Sequence, residues 1–143
     1  MGTDMAELYP FNHTGNFTIG KPGLPGGLLL KAILTVPQGS SKVTGIGVLT
    51  QATNPPLHNE TAFNGSVHAL GLGEAKQVYA LQGSAIPPLL GAPHVTELLI
   101  QLDGIWGKAG KASYTYVLGD TVHRIEDQDV AVQWLLQNNE RAA

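Results

Sequence analysis

LLLKAILTV, residues 28–36, decides the fold class. In an extended chain Leu28, Leu30, Ala32, Leu34 and Val36 share one face, and Leu29, Lys31, Ile33 and Thr35 take the other. Both faces are largely apolar, so this strand belongs in the middle of a sheet or beneath a covering layer. PQGSS (37–41) is a turn, and KVTGIGVLTQA (42–52) returns as the second arm of a hairpin. Gly45 and Gly47 fall on one face of that arm, where missing side chains permit close approach by a neighbouring layer.

The same reading extends outward from that hairpin. Residues 1–7 are expected to be a mobile N-terminus. LYPFNHTGNFTI (8–19) reads as one or two short strands, and GKPGLPGG (20–27) as a loop. TNPPLHNETAF (53–63) reads as an irregular loop. NGSVHALGL (64–72) and KQVYALQG (76–83) form a second hairpin, followed by a proline loop, SAIPPLLGAPH (84–94). TELLIQL (96–102), KASYTYVLG (111–119) and TVHRI (121–125) are the remaining strands. In the last segment Val130 and Trp134 are spaced i,i+4, and Asp127 and Asp129 stand where a helix N-terminus favours carboxylates, which predicts a helix over 127–138. The expected fold is a single all-β domain of seven to nine antiparallel strands. It is a sandwich or flattened barrel, the sandwich favoured, with one C-terminal helix packed on it. Leu30, Leu34, Val48, Ile100, Val117 and Trp134 are its expected core.

Two proline exits repeat a phrase, QATNPPL (51–57) and QGSAIPPL (82–89). Proline pairs supply no N–H to a ladder, so each ends strand pairing. If the hairpins run as a meander, both exits emerge at one end of the domain. They then form a stiff, weakly charged rim carrying Leu57, His58, Leu89, Leu90 and His94. Trp106, in GIWGK, is expected at the opposite end as a separate exposed aromatic. Tyr79, Tyr114 and Tyr116 read as a cross-strand ladder half in the core, with a sugar-binding platform as the alternative.

Composition narrows the function. Charged residues make up 13% of 143, about half the usual share, and net charge is −3. Eight scattered Lys and Arg residues form no stripe for a phosphate backbone, so nucleic acid is not an expected partner. The absence of cysteine removes disulfides and thiolate chemistry. The start MGTDMAELYP is no classical signal peptide, so a cytoplasmic or non-classically exported protein is expected. No run is long enough for a transmembrane helix. The five histidines lack metal-site spacing; His58, Glu60 and His68 are the nearest to a cluster, and no metal is expected. Asn64-Gly65 reads as a tight turn, and Ser66 and His68 share a strand face without an acid behind them. With no phosphate loop, nucleophile elbow or cofactor motif, no cofactor or catalytic residue is expected. The leading expectation is a non-catalytic binding or structural module with a protein or glycan partner. The rival is a small-molecule-binding barrel, and an interior cavity would separate the two.

FNHTG (11–15), KVTGIGVLTQATNPPL (42–57) and the surrounding β-meander resemble the DUF1842 family of uncharacterised bacterial proteins. The resemblance implies one β-rich domain over most of the chain and supplies no catalytic residues. It also implies a likeness to an antigen seen by host antibodies.

Overall fold

The structure, a computed structural model, describes residues 13–53, 55–70, 76–104 and 107–135. Eight strands follow one another in sequence: β1 His13–Ile19, β2 Leu28–Val36, β3 Lys42–Gln51, β4 Leu57–Leu70, β5 Lys76–Ala85, β6 His94–Leu102, β7 Ala109–Leu118 and β8 Thr121–Leu135. Each pairs antiparallel with the next, and β8 pairs with β1, closing a barrel. Closure corrects the favoured sandwich. A sandwich leaves sheet edges with unpaired backbone groups, whereas a closed meander leaves none.

Closure depends on the segment whose i,i+4 spacing predicts a helix. Residues 127–135 are instead part of β8, and 136–138 lie outside the described residues. Val130, Val132 and Trp134 alternate inward and pair with Ile19, Phe17 and Gly15 of β1. On the other side Val130 faces Gly110 of β7. Only an extended segment can satisfy the open edges of β1 and β7 together; a helix spends its backbone hydrogen bonds internally. TVHRI is the first part of this same strand, not a separate one. A register shift opposite Ala112–Tyr114 places Asp127 at φ 57, in the left-handed region, as the bulge residue. Lys111 holds it and Asp129 by ion pairs.

The predicted 53–63 loop is the second correction. β4 already begins at Leu57, and only residues 52–56 connect it to β3. Its inward side chains include Asn59 and Thr61, both buried, so the apolar alternation is hidden there. Thr61 Oγ1 accepts a 2.9 Å hydrogen bond from the Val95 N–H, beside the register shift in β6. Asn64-Gly65 is likewise no turn but mid-strand, where a Cβ on Gly65 would lie 2.0 Å from the Ala80 carbonyl oxygen.

The interior is filled by alternation of size. Around one inner row Trp134 faces Gly15, Gly15 faces Leu34, Leu34 faces Gly45, Gly45 faces Phe63, and Phe63 faces Gly83. Large side chains thereby cross the narrow interior above facing glycines, as small barrels require. A Cβ on Gly45 would stand 2.0 Å from the Ile33 carbonyl oxygen, so this close approach excludes any side chain. Leu30, Leu34 and Ile100 are buried as expected, while Val48 and Val117 are half-buried on the outward parity of their strands. Trp134 is half-buried too; its Nε1–H donates to the Gly107 carbonyl at 3.0 Å. His13 meets the indole edge-on at 4.5 Å. The buried residues are mostly apolar, with His13, Asn59, Thr61 and Gln77 as buried polar exceptions, and Ile33, Ile46 and Leu99 are exposed on the outer wall. Among the described residues no helix is long and apolar enough to cross a membrane.

Candidate functional site

Chain order alone places the loops. In a closed meander the β1–β2, β3–β4, β5–β6 and β7–β8 connections ring one mouth. They comprise residues 20–27, 52–56, 86–93 and 119–120. Both proline exits lie there, and in all seven of the chain's nine prolines do: Pro22, Pro25, Pro55, Pro56, Pro87, Pro88 and Pro93. Among the described residues, six of the ten large exposed apolar side chains also sit in or beside these loops. They are Leu24, Ile86, Leu89, Leu90, Leu118 and Val122. The loops carry only two charges, Lys21 and Asp120, of opposite sign.

The mouth is braced locally. Gly27 N–H donates to the Leu24 carbonyl at 3.0 Å, and the Gln51 amide donates to the Gly26 carbonyl at 3.0 Å, tying the β1–β2 loop to the end of β3. In the β5–β6 loop, Leu89 N–H donates to Pro87 and Ala92 N–H to Leu89. Ile86 N–H donates to the Glu60 carbonyl at 3.2 Å, anchoring the loop on β4. The Ile86–Pro87 peptide is cis. Proline and these turns fix a surface before any partner arrives.

The expected residues separate into roles. Leu89 and Leu90 project into solvent, Leu90 fully. His58 is exposed at the start of β4 and lies 3.7 Å from Glu60. His94 is half-buried, its Nδ1–H donating to the Ala92 carbonyl at 2.8 Å. Leu57 is packed against the core from the rim and braces rather than protrudes. Trp106 lies outside the described residues. Sequence reasoning missed Leu24, Ile86, Leu118 and Val122. A search for apolar residues beside Gly and Pro in every loop of the same parity would have found Leu24, Ile86 and Leu118; Val122, inside β8, carries no such signal.

The chemistry-bearing clusters resolve differently. His58 and His68 stand ten positions apart along β4, about 33 Å of extended chain. His68 Nε2 is 2.9 Å from Ser66 Oγ, on the exposed outer face. Among the described residues no three His, Asp or Glu side chains gather as metal ligands. Tyr79, Tyr114 and Tyr116 are buried inside the barrel, so the alternative sugar platform is withdrawn. Burial pushes the Tyr114 phenol up from its ordinary value, and Tyr116 likewise. Tyr116 stacks on His123 at 4.7 Å. Two hollows, of about 470 and 430 Å³, lie on outer faces of the barrel, lined by β4–β8 and by β8–β1–β2–β3 respectively.

The profile of the domain of unknown function (DUF1842) matches residues 12–121 of the 143. The chain belongs to this family. The DUF1842 match spans β1 through β7 and ends at the first residue of β8, the strand that closes the barrel. No curated protein matches the chain.

Proposed function

We propose that this barrel is a non-catalytic recognition module that takes a partner protein on its proline-stiffened rim. The carrying observation is the segregation of seven prolines and six exposed apolar side chains to one mouth that bears a single cancelling pair of loop charges. An exposed apolar cluster on an ordered surface marks an interaction site. Its weak charge favours an apolar partner surface over an ionic one. The filled interior supports this reading over an internal small-molecule site, because each inner row is already occupied by side chains. Leu89 and Leu90 are the proposed anchors, with Leu24, Ile86, His58 and His94 around them.

A photo-crosslinking residue at position 90 tests this against the same residue at position 38, in the β2–β3 turn at the other end. The expected result is a discrete adduct from position 90 and none from 38. Excess wild-type domain should abolish it, and the Leu89→Asp/Leu90→Asp domain should not. Adducts from both positions, or competition by both domains, would refute the assignment.

A further inference from the structure

The ladder that closes the barrel stops short of the start of β8. Thr14 to Ile19 of β1 pair with Leu135 to Val130, and the Gly20 N–H adds one bond to the Asp129 carbonyl. Thr121 to Gln128 therefore border β7 alone. The β1–β2 loop does not cover their other side. Residues 21–26 are all exposed, and the loop's brace runs to Gln51 of β3, away from β8. Gly119, at φ 62, opens the two-residue turn before β8, and such a turn makes Leu118 and Thr121 a hydrogen-bonded pair. By strand alternation Thr121, His123 and Ile125 bond to β7, while Val122, Arg124 and Glu126 turn their N–H and C=O groups outward along the edge. Among the described residues, the one partner of those groups is the Gln128 amide, which donates to the Glu126 carbonyl at 3.1 Å. The run carries no Lys or Pro, residues that block such an edge, and the bulge at Asp127 ends it.

We propose that the free edge Thr121–Glu126 is a β-augmentation site, which takes an extended segment of a partner polypeptide as an antiparallel strand in line with β1. The edge itself selects the occupant: a row of outward N–H and C=O groups is satisfied in full only by another extended backbone. Side chains set its pattern. Arg124 and Glu126 bond to each other on the outer face, so Glu opposite Arg124 and Lys opposite Glu126 complete a network of four charges. The residues between those two point inward, above buried Ile19 and between Ile125 and Leu28, which already pack on the core. Those positions suit Val or Ile. A second copy of the chain fits less well, because the two-fold register that faces Arg124 with Glu126 sets the bulge residue Asp127 opposite His123. The site goes beyond the rim reading, since it uses no contact of Leu89 or Leu90.

The probe is the blocked heptapeptide Val-Lys-Val-Glu-Val-Thr-Val, titrated into the ¹⁵N-labelled full chain. The expected result is saturable shifts at Val122, Arg124 and Glu126, with slowed exchange of their amide hydrogens. N-methylation of the peptide's Lys, Glu and Thr removes the donors that face β8 and should weaken binding by about tenfold or more. N-methylation of its two central Val residues, whose N–H groups face away, should not. Arg124→Pro removes one edge N–H at a position where a strand tolerates proline, and should weaken binding while circular dichroism stays that of wild type; if that variant unfolds, the methylated peptides decide. Leu89→Asp/Leu90→Asp should leave binding unchanged, which separates this edge from the rim. The proposal is overturned by no saturable shift, by shifts centred on Leu89 and Leu90, or by equal binding of both methylated peptides. Protection of Val122 and Arg124 that rises with protein concentration in the absence of peptide would assign the edge to a second copy and overturn it too.

Discussion

His13 makes acid stability a direct readout of the β1–β8 seam that closes the barrel. It is 1% exposed, at the start of β1 and edge-on to Trp134. Burial penalises its charged form and lowers its pKa from 6.5 to about 4. The unfolded chain takes up this proton near pH 6.5, whereas the folded chain does so only near pH 4. Between those values the unfolded state binds more protons, so stability falls as pH falls through that window and levels off below it. At about 1.4 kcal/mol per tenfold change in proton affinity, the gap corresponds to about 3 kcal/mol. Carboxylates contribute at the acid end, so the comparison is with His13→Leu, which removes the titration and keeps an apolar group. Urea unfolding at several pH values from 7 to 4, followed by circular dichroism, should show wild type losing about 3 kcal/mol more than the variant. Parallel pH profiles, or an NMR titration of His13 near its ordinary value, would refute the reasoning.

Other outcomes follow from the packing. Leu34→Ala should cost about 2–5 kcal/mol by opening a cavity, while Gly45→Ala, on the residue that faces it, should cost about 3 kcal/mol or more, because its Cβ would meet the Ile33 carbonyl oxygen of β2; urea midpoints measure both. Asn59 is buried, and its amide has no hydrogen-bond partner among the described residues, so Asn59→Leu should raise the urea midpoint, by about 1–2 kcal/mol of stability. A loss would mean that the amide is engaged. Zinc should leave the melting temperature unchanged at neutral pH, because β4 holds His58 and His68 apart; a saturable rise lost in His58→Ala would contradict this.

Much of the meander was legible from local pattern. β2 matches its predicted bounds because alternation and flanking turn residues agree, and the Gly-Pro clusters place the β1–β2 and β5–β6 loops. The errors share one cause: the deciding partner is distant in sequence. Val130 and Trp134 fit a helical spacing as well as an extended one, and only the open edges of β1 and β7 select the strand. β4 was hidden at its start because Asn59 and Thr61 point inward, Thr61 serving the backbone of β6. The common end of the proline exits was legible, since antiparallel succession alone dictates it. The concave outer wall was not, because its floor assembles from five strands whose register no local pattern specifies.

The rim is tested most directly by the affinity of Leu89→Asp/Leu90→Asp for the partner protein trapped at position 90, measured by calorimetry beside wild type. Both side chains are exposed, so the variant should keep the wild-type melting temperature. Removing two apolar anchors, each contributing about 1.5–3 kcal/mol when buried, should weaken binding by about a hundredfold or more. Wild-type affinity in a folded variant would contradict the account.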